Sequence, residues 1–286
     1  MKFTVFFLIF FFFASVSHIH GSMKHAPLFI FGDSFLDAGN NNYINTTALD
    51  QANFWPYGET YFKFPTGRFC DGRLISDFIA EYANLPLVPP YLEPGNRQYY
   101  GGVNFASGGA GALVETFEGS EIYKRGARKF VFMNLPPLGC LPGTRIIHAE
   151  ENGKCLQQLS ALASLHNRVL HVVLLQLEKQ LKGFKFALYD FSTDLTQMIN
   201  HPFEYGLKEG KSACCGSGAF RGEYSCGGKR GQKEFELCKK PNEYLFWDSY
   251  HLTESAYKNL ADRIWGFTNS SYNIGPYTVR DLFQLP

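Results

Sequence analysis

The sequence has no C-x-x-C pair and no histidine at finger-like spacing from its cysteines, which argues against a zinc site. It has no long run of one charge. Its 27 Lys and Arg against 26 Asp and Glu leave a formal net charge of +1, and that balance argues against a nucleic-acid partner. Two short basic groupings, Lys229-Arg230 with Lys233 and Lys239-Lys240, read as solvated surface. Beyond the N-terminus no stretch is apolar enough to cross a bilayer, so no stable membrane anchor is expected. What is present is a globular composition: 286 residues, 45% hydrophobic, with room for one sizeable core.

The N-terminus stands apart. Lys2 precedes an apolar run from Val5 to Ala14, and small and polar residues follow through Ser22. A short charged start, a compact apolar middle and then small residues fit a secretory signal peptide over residues 1–22, with cleavage near Gly21–Met23. The run is too short to span a membrane comfortably. Residues 23–286 then form one domain, and the product is expected to be secreted and extracellular.

Secretion makes disulfides the default reading of the seven cysteines, Cys70, Cys140, Cys155, Cys214, Cys215, Cys226 and Cys238. Adjacent Cys214 and Cys215 do not easily bond each other, so each should reach Cys226, Cys238 or a more distant partner. The glycine-rich span from Gly210 to Gly231 then reads as a cross-linked surface loop. Seven is odd, so one thiol is left over. Two sequons, Asn45-Thr-Thr and Asn269-Ser-Ser, mark Asn45 and Asn269 as glycosylation candidates.

Pro27 to Phe31 is apolar and rich in β-formers, and reads as a short buried strand that Gly32 breaks. Asp33 and Ser34 follow at once, so Ser34 sits at the C-terminal rim of a strand, where α/β sheets bind ligands. A serine near a glycine is more often only a turn or cap. It gains weight from Phe246-Trp-Asp-Ser-Tyr-His251, where Asp248 and His251 lie three apart. Ser34, His251 and Asp248 supply a nucleophile, a base and an orienting carboxylate. Between them lies Gly101-Gly-Val-Asn-Phe-Ala-Ser-Gly-Gly-Ala-Gly111, whose glycines let backbone approach a ligand and turn N–H groups towards it. A phosphate loop is the rival reading, but no dinucleotide-type βαβ unit follows.

These motifs together resemble the plant GDSL-type esterases/lipases of the SGNH hydrolase superfamily. FGDSFLDAGNNN, GGVNFASGGAG and FWDSYHLTE occur in the family's order and cover nearly all of the chain after residue 26. The more familiar G-x-S-x-G elbow is absent around Ser34, as this family implies. The resemblance implies a three-layer α/β/α, flavodoxin-like fold with a mostly parallel sheet. It implies a carboxylic-ester or acyl-lipid substrate, no cofactor and no metal. Oxyanion donors would be the backbone N–H groups of Ser34 and Gly109. Relatives usually carry Ser at the position of Cys70, which makes Cys70 the expected free thiol.

The chain departs from the family after Ser120. Relatives have a long middle segment there, with helices, a core strand and a G-x-N-D motif whose Asn is a further oxyanion donor. Here Ser120 runs directly into Glu121, no G-x-N-D occurs, and neither Asn104 nor Asn134 has that context. An internal deletion near 120/121 is the expectation, with a strand and helices missing. Losing one oxyanion donor typically costs about 10²–10³ in turnover. Two functions stay open: an esterase or lipase of reduced activity, or a catalytically silent relative that binds an ester or wall polymer or fails to fold.

Arg68 and Arg73 either bind a substrate carboxylate or, preferably, pin their loop through Asp71 or backbone carbonyls. Ser76–Ala83 reads as a short amphipathic helix, Ala127–Leu135 as a buried strand, and Cys155–Lys182 as the clearest helix, with an apolar row from Leu156 to Leu181. His166 and His171 on that helix lack a nearby acid and read as surface or structural. Asp190 ends a strand over Phe184–Asp190 and reads as structural.

Overall fold

The computed structural model describes residues 26–95, 99–111, 122–268 and 271–285. The apolar N-terminal run, the 120/121 junction and Asn269 lie outside the described residues. Asn45 lies within them, exposed on a bend.

Leu28–Ile30 forms β1 and pairs in parallel with β2, Gly102–Asn104. Lys129–Met133 forms β3 and pairs in parallel with β4, Lys185–Tyr189. In chain order α1 (Ile75–Tyr82) lies between β1 and β2, and the short α2 (Pro142–Arg145) and the long α3 (Gln157–Gln180) lie between β3 and β4. Phe191–Asn200 is α4, and β5 (Glu209–Ala213) pairs in parallel with β8 (Tyr244–Phe246). A small antiparallel pair, β6 (Cys215–Gly216) with β7 (Glu236–Leu237), sits in the loop between them. Helices α5 (Glu254–Trp265) and α6 (Val279–Gln284) close the chain. Helices alternate with mostly parallel strands, so the fold is α/β.

The sheet is not continuous. Among the described residues no strand joins β1 to β3, and a cleft of about 510 Å³ opens between them. Phe29 and Phe31 line one wall, Val131 and Met133 the other. Parallel strands in α/β proteins are ordinarily buried on both faces. Here Phe29 is 51% and Val131 44% exposed, whereas Phe186 and Leu188 of β4 are buried. The buried strand expected over Ala127–Leu135 is therefore shorter and half-exposed, because among the described residues its outer edge has no neighbour.

The main core lies elsewhere, where α1 packs on α5. Phe78 and Ile79 meet Leu260, Ile264 and Tyr257, with Leu245 and Leu252 beneath. Two buried or half-buried arginines pin the loop that enters α1. The Arg68 guanidinium grips Asp77 through Nε and Nη2, both at 2.8 Å, while Asp77 Oδ2 also accepts the Leu74 N–H at the helix start. Arg73 bonds Glu81 and Glu254. Both arginines are thus committed to the fold: their carboxylate partners are Asp77, Glu81 and Glu254 rather than Asp71, and Arg68 also donates to a backbone carbonyl, that of Ala38, as expected.

Helix α3 matches the expected span to within two residues at each end. Its expected apolar row is only partly inside: Ala163 and Leu174 are buried, while Val173 is 41% exposed. Asp190 caps α4 by accepting the Thr193 N–H, which bears out a structural role.

Three disulfides, Cys140–Cys155, Cys214–Cys238 and Cys215–Cys226, span 15, 24 and 11 residues. On chain-entropy grounds each stabilises by about 3 kcal/mol. Cys70 is the free thiol, and it is buried.

Asp71 is sealed beneath the start of α5, where its Oδ1 accepts the Glu254 N–H at 2.8 Å. Burial pushes its carboxyl up to about 6, against the bonds it accepts.

Two stability predictions follow from these groups. Asp77→Ala strands the Arg68 charge in the interior and should cost about 3–5 kcal/mol in urea unfolding. Folded Asp71 holds its proton up to about pH 6, while the unfolded chain releases it near 3.8. Its contribution to stability is therefore highest below that window and falls as pH rises through it. Asp71→Asn should gain on wild type by something on the order of 2 kcal/mol between pH 4 and 7, read from paired denaturation curves.

Candidate active site

The first functional side chain follows directly from the end of β1. Beyond Ile30 the chain turns at Gly32, and Asp33 closes the turn by accepting the Phe35 N–H through its side chain and the Leu36 N–H through its carbonyl. Ser34 rides on that turn, partly exposed.

The second group is built by a turn that the D-x-x-H spacing encodes. Asp248 Oδ1 accepts the backbone N–H groups of Tyr250 and His251, both at 2.9 Å. The turn closes with the Trp247 N–H on the His251 carbonyl at 2.8 Å. This geometry brings the imidazole back over its own carboxylate, with His251 Nδ1 at 2.7 Å from Asp248 Oδ1. Thr253 then caps α5 by accepting the Ala256 N–H. β8 and α5 therefore hold the turn from both sides.

The two ends of the chain meet here. His251 Nε2 lies 2.8 Å from Ser34 Oγ, across 217 positions of sequence. His251 and Asp248 are buried, so of the three side chains Ser34 alone is partly exposed. The imidazole is held between Phe69 and Phe35, at ring distances of 4.9 and 5.6 Å. Burial alone would raise the Asp248 carboxyl, but the His251 charge and hydrogen bond outweigh it and hold the group well below the usual carboxylate range. It stays ionised, as an orienting acid must.

The glycine-rich loop is fastened beside this relay by the residues just after Ser34. Asp37 Oδ2 accepts the Gly108 N–H, and Asn41 Nδ2 donates to the Gly108 carbonyl. Asn40 Nδ2 donates to the carbonyls of Asn104 and Ala106, and Ser107 N–H reaches the Gly32 carbonyl at 3.0 Å. Gly109 stands at φ +88°, a conformation that favours glycine. Among the described residues, neither the Ser34 nor the Gly109 N–H engages an acceptor, while the Gly108 N–H is spent on Asp37.

Other candidates fall away on geometry. Asn134 bonds Asp190 and the Ser192 N–H, and Asn104 bonds the Leu36 carbonyl and the Ala106 N–H. Both amides are structural. His166 and His171 sit half-buried on α3, away from the relay. Among the described residues no cluster of His, Cys, Asp and Glu has the arrangement of a metal site, and no helix is long and apolar enough to cross a membrane.

Sequence reasoning missed two residues behind the relay. Tyr57 hides in a loop rich in aromatics, Gly and Pro. Arg230 is not solvated surface, as its neighbours Lys229 and Lys233 suggest; it is 8% exposed and points inward. No local pattern distinguishes it from the other basic residues of its loop. Asp37, Asn40 and Asn41 were visible as a run but not as fasteners.

Comparison with known proteins places the chain in a family. The family model for GDSL-like Lipase/Acylhydrolase matches residues 28–118 and 113–264. "GDSL esterase/lipase 5" of Arabidopsis thaliana is 47% identical over 352 aligned positions, covering 96% of this chain and 91% of that protein. "GDSL esterase/lipase 1" of the same plant is 40% identical, covering 92% and 91%, and the "GDSL lipase" of Tanacetum cinerariifolium is 39% identical, covering 92% and 89%. Identity of this extent, together with a family model that spans both the Ser34 strand and the Asp248–His251 turn, means that the chain belongs to the GDSL-like lipase/acylhydrolase family.

Proposed function

We propose that this protein is a secreted serine hydrolase that cleaves carboxylic esters, acyl lipids among them, through an acyl-enzyme on Ser34. The observation that carries this reading is the continuous relay from Ser34 Oγ through His251 to Asp248. His251 takes the Ser34 proton as the hydroxyl attacks the ester carbonyl, and Asp248 holds the imidazole tautomer. The N–H groups of Ser34 and Gly109 receive the oxyanion. His251 then protonates the leaving alcohol, and water releases the acid by the same steps in reverse. The names of the relatives, esterase and lipase, point the same way.

Secretion is supported by the apolar N-terminal run, the three disulfides and the exposed Asn45 sequon. Reduced turnover is supported by the lack of a G-x-N-D asparagine. An internal deletion near 120/121 is supported by alignments longer than the chain itself, 352 positions against 286 residues, and by the unpaired edges of β1 and β3. Those same edges favour the second reading, a catalytically silent binding protein.

Purified secreted protein should hydrolyse p-nitrophenyl esters, and Ser34→Ala should lower kcat by at least about 10³-fold without changing the circular dichroism spectrum. Equal inertness of the two folded proteins would leave the silent reading standing. Glycosidase treatment should shift the electrophoretic mobility of the secreted protein, and Asn45→Gln should reduce that shift.

A further inference from the structure

Asp248 has two carboxylate oxygens, and the relay uses one. Oδ1 accepts the imidazole and the two turn N–H groups. Oδ2 accepts a single hydrogen bond, from the Tyr57 hydroxyl at 2.6 Å. That hydroxyl in turn accepts from Arg230 Nη1 at 2.6 Å. The remaining Arg230 donors go to the carbonyls of Ala48, Gln51 and Cys226. The guanidinium stacks over Tyr224 at 4.0 Å from the ring centre. Among the described residues no carboxylate lies in direct ion-pair contact with it. A buried cation without a paired anion is costly. Here the anion it faces is Asp248, one hydroxyl away.

We propose that Tyr57 and Arg230 are positioning residues for the relay: Arg230 polarises and orients the Tyr57 hydroxyl, and Tyr57 fixes the free oxygen of Asp248 so that Oδ1 stays aimed at His251. The inference rests on the Ser34–His251–Asp248 reading above. Tyr57 comes from the aromatic loop before α1, and its ring is locked edge-on against Phe54 and Trp247. Arg230 comes from the loop tied down by Cys215–Cys226 and Cys214–Cys238. Two segments outside the Ser34–His251–Asp248 relay thus meet behind the acid. A charge-assisted hydrogen bond of this kind is roughly twice as strong as a neutral one, and it holds direction as well as charge.

The fixed cation also acts on the acid, helping to hold the Asp248 carboxyl low. Besides Arg230, the titratable groups facing Asp248 and His251 are Asp33, Tyr57, Tyr224, Tyr250 and Tyr257. Removing Arg230 takes away the positive charge that opposes protonation of His251, so the imidazole should hold its proton to higher pH.

The test is an NMR titration of His251 in wild type, Arg230→Gln, Arg230→Lys and Tyr57→Phe, with kcat and KM on a soluble ester. Arg230→Gln should raise the His251 midpoint by about half a pH unit or more, and Arg230→Lys, which keeps the charge, should return it towards wild type. Tyr57→Phe keeps the ring and loses the donor; kcat should fall about tenfold or more with KM within about twofold. A merely structural role would lower melting temperature and yield but leave the midpoint in place. Coincident midpoints for wild type and Arg230→Gln, or wild-type kcat in Tyr57→Phe, would overturn the proposal. Should Arg230→Gln not fold, Arg230→Lys decides through its lost fork: lower kcat at an unchanged midpoint supports positioning, and unchanged kcat refutes it. If wild type hydrolyses no ester, the acyl-enzyme reading fails, while the midpoints still judge this one.

Discussion

A carboxylate sealed from water at Asp248 is the constraint around which this molecule is arranged. An ion removed from solvent must be matched by hydrogen bonds and charge, or it costs several kcal/mol. Asp248 meets that demand from three directions. Its own turn supplies two backbone N–H groups, His251 supplies a ring N–H, and Tyr57 supplies a hydroxyl. Each donor fixes a stretch of chain: the passage from β8 to α5, the aromatic loop, and through Arg230 the disulfide loop. The charge that holds the His251 imidazole in place is the charge that makes these segments converge.

Ser34 is held by a separate device. Asp37, Asn40 and Asn41 lie within eight positions of Ser34, yet they bond backbone some 64 to 71 positions further on. They tie the turn after β1 to the loop after β2. This half of the site therefore depends on side-chain amides and a carboxylate rather than on a continuous sheet. Its link to the rest of the molecule runs through α1 and α5, whose packing forms the main core. That arrangement explains how Ser34 and His251 stay within 2.8 Å while β1 and β3 stand apart.

Much of the site was legible in the sequence because it is written in local spacing. A strand that ends on Gly-Asp-Ser puts a hydroxyl at a sheet rim, and D-x-x-H is a turn that makes its own hydrogen bond. That Cys214 and Cys215 reach other cysteines rather than each other followed from adjacency, but which partner each takes, Cys238 and Cys226, did not. Arg230 was not legible, because a buried arginine and a solvated one share the same Gly-Lys-Arg-Gly setting, and only the distant Tyr57 and the carbonyls it meets distinguish them. Val131 misled for a related reason. Its apolar, β-rich neighbours specify a strand, but its burial depends on a strand alongside, which no property of residues 127–135 can supply. Similarly, the apolar row of α3 states a preference for cover, and Val173 remains 41% exposed because none of the described residues covers it.

Cys70 carries a consequence for how the protein can be watched. It is the free cysteine, fully enclosed, with its thiol near Asp71 and its ionisation pushed far up by burial and that neighbour. A thiol in this state is inert to alkylating reagents and mild oxidants until the core around it opens. The protein therefore contains its own clock for opening: the rate at which Cys70 takes up a maleimide counts excursions of the α1–α5 core, with no added probe and no disturbance of the three bridged pairs.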